Sequence, residues 1–355
     1  MSVRTYLRFL SENQGRIAPH RWVMAFLVLP IATFNSVMNR LQQLWFRRTL
    51  AETTVPYPPV FVLGHWRSGT TLLHELLTLD ASVTYPTTYQ CFAPKHFLLT
   101  QRWVTRLFWF ILPERRPMDN VHVTWQAPQE DEFALLALGV ASPYRRVGFP
   151  LSQDLHQDYL RYLDLTDVTP HELVQWKEAL YEFVRDITAL TPKPVVLKSP
   201  THTARIARLL ELFPDARFIH IARDPCLIIP STIRLWTALN SAHSLQRVDE
   251  SQLDDYVFAC FQRMYRDYDR QKELIPSEHY AEIRYEDLVA DPMGTMQTLY
   301  NDLQLGDFAN VRERIETYCQ KNREYRPNRH QPSGALTARI ASECRPYMER
   351  FGYAE

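Results

Sequence analysis

The chain reads as an α/β protein of the P-loop type: a three-layer α/β/α arrangement around a central parallel sheet, with N-terminal helices and an aromatic-rich helical insertion. Three observations predict it. Residues 60–73, VFVLGHWRSGTTLL, carry an apolar strand into a glycine-bounded loop that opens a helix, the geometry with which a main chain cradles phosphate or sulfate oxygens. Short apolar strands recur ahead of helical segments at 195–198 (VVLK) and 217–222 (RFIHIA), and strand followed by helix, repeated, implies a parallel sheet. A long irregular section from about 81 to 150 interrupts the alternation, as insertions that wall a pocket do.

Gly64 and Gly69 have the G-x-x-x-x-G spacing of a nucleotide-binding loop, but position 70, lysine where an ATP or GTP site reaches the β/γ-phosphates, is Thr70. Ordinary triphosphate hydrolysis is an awkward reading. A P-loop kinase or ATPase and a noncatalytic membrane-associated scaffold stand as alternatives.

With 355 residues and 46% hydrophobic content the chain has ample core, and no Gly/Ser-rich linker divides it. The expected organisation is an N-terminal helical extension over 1–55 and one α/β domain over 56–355. Forty basic against 40 acidic side chains argue against a general nucleic-acid binder and leave any anion site local. The five cysteines are odd in number and never C-x-x-C, which fits a reducing compartment, and no His/Cys cluster has metal-ligand spacing. The N-terminus lacks a cleavable signal pattern, so a cytoplasmic chain is expected, with peripheral attachment to a membrane as an open possibility.

Taken in order, the apolar run WVMAFLVLPIATFNSVM (22–38) contains Pro30 and Asn35 and is short of a clean spanning segment. It is expected to be a buried or interfacial helix. A second stretch over 102–112, RWVTRLFWFIL, joins large aromatics to flanking cations and suits either a packed helix or one at a lipid headgroup boundary. The strand at 59–63 feeds a helix from Thr70 to about Leu79; 154–190 has helical spacing; helices follow the strands at 203–212 and from about Leu227; another long helix covers about 253–274; and HYAEIRYEDL (279–288) is a strand ahead of a helix near Pro292. Lys198 and Arg223 fall at the C-terminal ends of their strands, the edge where open α/β sheets bind ligands, with Ser231 eight residues beyond Arg223.

These pieces resemble the sulfotransferases that use 3′-phosphoadenosine 5′-phosphosulfate (PAPS). Within that superfamily the loop 67-RSGTT-71 is similar to the branch holding bacterial sulfotransferases and the tyrosylprotein sulfotransferases. The resemblance continues through 193-KPVVLKSP-200, 213-FPDARFIHIARDP-225 and 283-IRYEDLVADP-292, and more weakly 323-REYRPNRHQPS-333. It implies that Arg67, Ser68, Gly69, Thr70 and Thr71 wrap the 5′-phosphosulfate and that Arg223 and Ser231 hold the 3′-phosphate. It further implies that Tyr285 lies near the nucleotide and that Arg326, Arg329 and His330 belong to a segment closing over it.

The chemistry such a resemblance implies is in-line transfer of a sulfuryl group to an acceptor hydroxyl, with negative charge spread over equatorial oxygens. Loop N–H groups, the Arg67 guanidinium and the Lys198 ammonium face that charge, and no metal is required. The acceptor proton needs a base. Glu130 is the first candidate and Glu132 the second, because a glutamate downstream of the loop serves the tyrosylprotein branch; His96 competes with them. The aromatic insertion and apolar N-terminal helix favour a small or lipid-like hydroxyl acceptor, a peptide tyrosine being the alternative, and the oligomeric state is not legible.

Overall fold

The protein is described by a computed structural model that covers residues 1–108, 110, 124–150, 155–322 and 333–354, the side chains of 155–158 excepted. Two compact units emerge. One comprises 1–56, 85–193 and 235–253; the other comprises 57–84, 194–234 and 254–355.

The second unit holds the sheet. Strands β1 (Val60–Leu63), β2 (Val196–Lys198), β3 (Arg217–Ala222) and β4 (Tyr280–Arg284) lie in the order β2-β1-β3-β4, every pair parallel. Val62 is in register with Lys198 and Leu63 with His220, so the chain leaves β1, β2 and β3 at one common edge. β1 and β2 are buried along their whole length, as expected of strands covered on both faces. Beneath them Leu73, Leu76 and Leu77 pack with Ile219, Ile221, Met296 and Leu299 in a continuous apolar cluster.

The last strand is shorter than its apolar pattern predicts. β4 ends at Arg284, and Tyr285–Ala290 is a helix with Glu286 and Asp287 in its first turn, where carboxylates complement the positive end of the dipole. The 203–212 segment likewise splits into a 3₁₀ turn, Pro200–Ala204, and a helix, Ile206–Leu212.

The first unit is helical. Val3–Glu12 packs on Trp22–Trp45, Tyr6 donating to the Ala25 carbonyl at 2.9 Å. Trp22–Trp45 is one continuous helix through Pro30. Phe97–Leu107, Glu132–Leu138 and Pro170–Leu190 complete the main elements. The last is opened by a capping box in which Thr169 and Glu172 satisfy each other's backbone N–H groups.

Candidate functional site

The loop after β1 is shaped by three residues with positive φ: Gly64 at 148°, Arg67 at 69° and Gly69 at 103°. A Cβ at Gly64 would stand 2.6 Å from Ser68 Oγ and 2.8 Å from the Ile221 carbonyl oxygen, so only glycine fits that close approach. Gly69 caps the Thr70–Thr78 helix in the left-handed conformation, and a Cβ there would enter the Tyr285 ring. Within this loop Arg67 is the non-glycine residue that takes a positive φ, a sparsely populated conformation that the surrounding loop must enforce. The Gly64 amide donates to Thr203 Oγ1 at 2.7 Å and Thr232 Oγ1 donates to the Trp66 carbonyl at 3.3 Å, pinning the loop to its neighbours on both sides.

Arg67, Arg223 and Ser231 meet directly. Arg67 Nε donates to Ser231 Oγ at 2.9 Å, and Arg223 Nη1 donates to the Arg67 carbonyl at 2.9 Å. The Arg223 guanidinium lies 4.2 Å above the Tyr285 ring, and its backbone is held by the Tyr347 hydroxyl, which accepts from its N–H and donates to its C=O, both at 3.0 Å. Burial lowers the Arg223 pKa, and the nearby Arg67 charge lowers it further. Arg234, one helical turn beyond Ser231, is lowered by burial and by Arg67 as well. Like charges gathered in this way favour a polyanion between them.

Two buried polar atoms in this constellation, Ser68 Oγ and Arg223 Nε, lack a hydrogen-bond partner among the described residues. Native interiors seldom leave such groups unmet, and both suit an oxygen-rich ligand. Lys198 ends β2 and is almost fully buried, at the sheet edge from which the loop emerges. Thr70 and Thr71 open the helix behind the loop. His65 is turned into the core against Trp66 and Phe261, its Nδ1 on the Trp66 carbonyl, and burial lowers its pKa to about 4.

The base candidates belong to the first unit. Glu130 accepts from the Tyr144 hydroxyl and is half-buried; Glu132 is fully buried in the first turn of its helix. His96 is locked on both sides. Its Nε2 meets Asn35 Oδ1 at 3.0 Å and its Nδ1 meets Thr100 Oγ1 at 2.8 Å. Asn35 Nδ2 donates to the Met1 carbonyl, so its oxygen faces the imidazole. Burial lowers the His96 pKa to about 4. Arg326, Arg329 and His330 lie outside the described residues.

Arg234 and Tyr347 are the members that sequence reasoning missed. Arg234 carries a legible signal, since i+3 from Ser231 is the same helix face. Tyr347, 124 residues from Arg223, carries none.

The parallel sheet and the glycine-shaped loop with cations gathered beside it define an α/β protein with a P-loop-like fold. Residues 58–309 match the family described as the sulfotransferase family. The chain is 41% identical over 348 residues to the omega-hydroxy-beta-dihydromenaquinone-9 sulfotransferase Stf3 of Mycobacterium bovis and of Mycobacterium tuberculosis, covering 98% of this chain and 89% of those proteins. It belongs to the sulfotransferase family, and it is an enzyme of that class. The fold is shared with the crystal structure of sulfotransferase STF9 from Mycobacterium avium, at TM-score 0.74 and 18% identity over 96% of this chain and 89% of that one. STF1 from Mycobacterium tuberculosis aligns at TM-score 0.64 and 19% identity, over 87% and 84% of the two chains.

Proposed function

We propose that this sulfotransferase takes its sulfuryl group from PAPS and delivers it to the hydroxyl of a lipid-like alcohol. The observation that carries the donor assignment is the Arg67–Ser231–Arg223 contact. A nucleotide with phosphate at both ribose ends needs cations at the loop and beyond it, and these three residues join the loop to the segment after β3. PAPS supplies an activated sulfuryl group whose transfer breaks one S–O bond to the 5′-phosphate and forms another to the acceptor oxygen.

The chain's own residues are assigned as follows. Loop N–H groups of 67–71 with the Thr70 and Thr71 hydroxyls bind the 5′ end, Arg223, Ser231 and Arg234 hold the 3′-phosphate, and Tyr285 supports Arg223. Lys198 and Arg67 oppose charge that builds on the transferring oxygens and the leaving phosphate, a role in which loss of one donor costs roughly 10²–10³ in rate. Glu130 takes the acceptor proton: its carboxylate is half-buried and already accepts a hydroxyl hydrogen from Tyr144, whereas His96 has both ring nitrogens engaged. Glu132 is the second choice.

The lipid-like acceptor is supported by the relative at 41% identity, whose name specifies a hydroxylated menaquinone. The test is transfer of radiolabel from PAPS into pools of lipid alcohols, phenols, sugars and peptides. Label is expected in the organic-extractable lipid alcohols and to vanish with Glu130→Gln. Label confined to sugars or peptides refutes the acceptor class, and an active Glu130→Gln enzyme refutes the base.

A further inference from the structure

The Trp22–Trp45 helix is inside out. Its buried residues are the small or polar Ala25, Ala32, Asn35 and Gln42, whereas Val23 is 72% exposed, Phe26 and Leu27 each 61%, and Ile31 62%. A helix of a water-soluble fold turns its large apolar side chains to the core and its polar ones outward; this one does the reverse. The buried polar groups are satisfied within the unit, Asn35 by His96 and Met1, Gln42 Oε1 by the Leu99 amide at 3.1 Å. Contacts from Ala25 to Gln42 extend over about 26 Å at 1.5 Å per residue, so the helix lies flat along its unit.

The neighbouring Phe97–Leu107 helix extends the same surface. Phe34 meets Trp103 edge to face at 6.0 Å, and Trp103, Leu107 and Phe108 are exposed beyond it. The two helices that form this strip carry cations and no carboxylates of their own. No carboxylate occurs between Glu12 and Glu52 or between Asp80 and Glu114, while Arg40, Arg47, Arg48, Arg102 and Arg106 are all exposed. An apolar, aromatic-rich helical face bordered by exposed arginines matches the headgroup boundary of an anionic bilayer, where the rings enter the interface and the guanidinium groups meet lipid phosphate.

We infer that the face formed by the Trp22–Trp45 and Phe97–Leu107 helices docks in plane on the surface of an anionic phospholipid membrane. The inference is independent of the acceptor assignment, and its test uses vesicles that contain neither donor nor acceptor. The full chain is floated with phosphatidylcholine vesicles and with vesicles holding about 30% phosphatidylglycerol. Binding is expected to be at least about tenfold stronger to the anionic vesicles, to be reversed by high salt or carbonate, and to fall at least about tenfold in Phe26→Asp/Ile31→Asp and in Arg47→Glu/Arg48→Glu. Should the aspartate variant fail to fold by its thermal melt, the arginine variant, altered only at exposed positions, carries the test alone. Undiminished binding by the variants overturns the inference. So does resistance to carbonate, which would mean a spanning helix. A dimer in light scattering that Phe26→Asp/Ile31→Asp dissolves, without vesicle binding by the parent chain, would assign the face to a second copy instead.

Discussion

Arg223 concentrates more of the site's physics than any other side chain. Its guanidinium contacts the loop backbone, stacks on Tyr285 and keeps one buried nitrogen unmet. Arg223→Ala is therefore expected to weaken binding of 3′-phosphoadenosine 5′-phosphate at least about tenfold, on the order of 1.4 kcal/mol or more for a lost charged contact. Isothermal titration on the folded variant checks it, and unchanged affinity removes Arg223 from the nucleotide site. Its position at a strand end was legible from RFIHIARDP, and Ser231, which Arg67 rather than Arg223 contacts, was singled out by the resemblance to sulfotransferases. The tyrosine hydroxyl that clamps its backbone was not, because a contact across 124 residues leaves no local pattern.

At the level of elements, the join between β1 and the Thr70–Thr78 helix depends on Gly69. Alanine there meets both a φ of 103° and the Tyr285 ring, so Gly69→Ala should cost about 1–3 kcal/mol in denaturant unfolding. Adding Tyr285→Ala should recover the steric part of that loss and leave the backbone part, a non-additivity a double-mutant cycle measures; full additivity would mean the ring does not crowd the glycine. β1 to β3 were readable as short apolar runs. β4 was read too long because Tyr285 continues the alternation of Ala281 and Ile283, whereas Tyr285 already opens a helix with Glu286 and Asp287 in its first turn. For the Trp22–Trp45 helix, composition revealed an apolar segment but not which way it faces. Asn35 and Gln42 were the available clue, since polar residues inside such a run must find partners in the protein.

For the molecule as a whole, the two units share a sensitivity to acid. His65 in one and His96 in the other are held neutral by burial, each with its pKa lowered from 6.5 to about 4. In that interval the unfolded chain binds protons that the folded chain does not. Stability is therefore complete above pH 6.5 and falls as pH drops toward 4, by up to about 3 kcal/mol for each histidine. Denaturant midpoints across that range are the measurement. His96→Gln should flatten the decline, and an unaltered slope would assign the acid sensitivity elsewhere. The division into units was not foreseen from sequence: residues 85–193 group with the N-terminal helices, and the prolines near three of the crossings (Pro56, Pro58 and Pro59, Pro86, and Pro192 and Pro194) look like ordinary turn residues in the sequence.

The bond between Arg67 and Ser231 joins residues 164 positions apart. A ribosome therefore exposes the loop long before the serine that orients its arginine, and closing so large a separation belongs to the slow, high-contact-order stage of folding. Nascent chains that end before the helix carrying Ser231 hold the loop without its anchor. The proposed grip on the donor is therefore completed only after the Ser231 helix has been made.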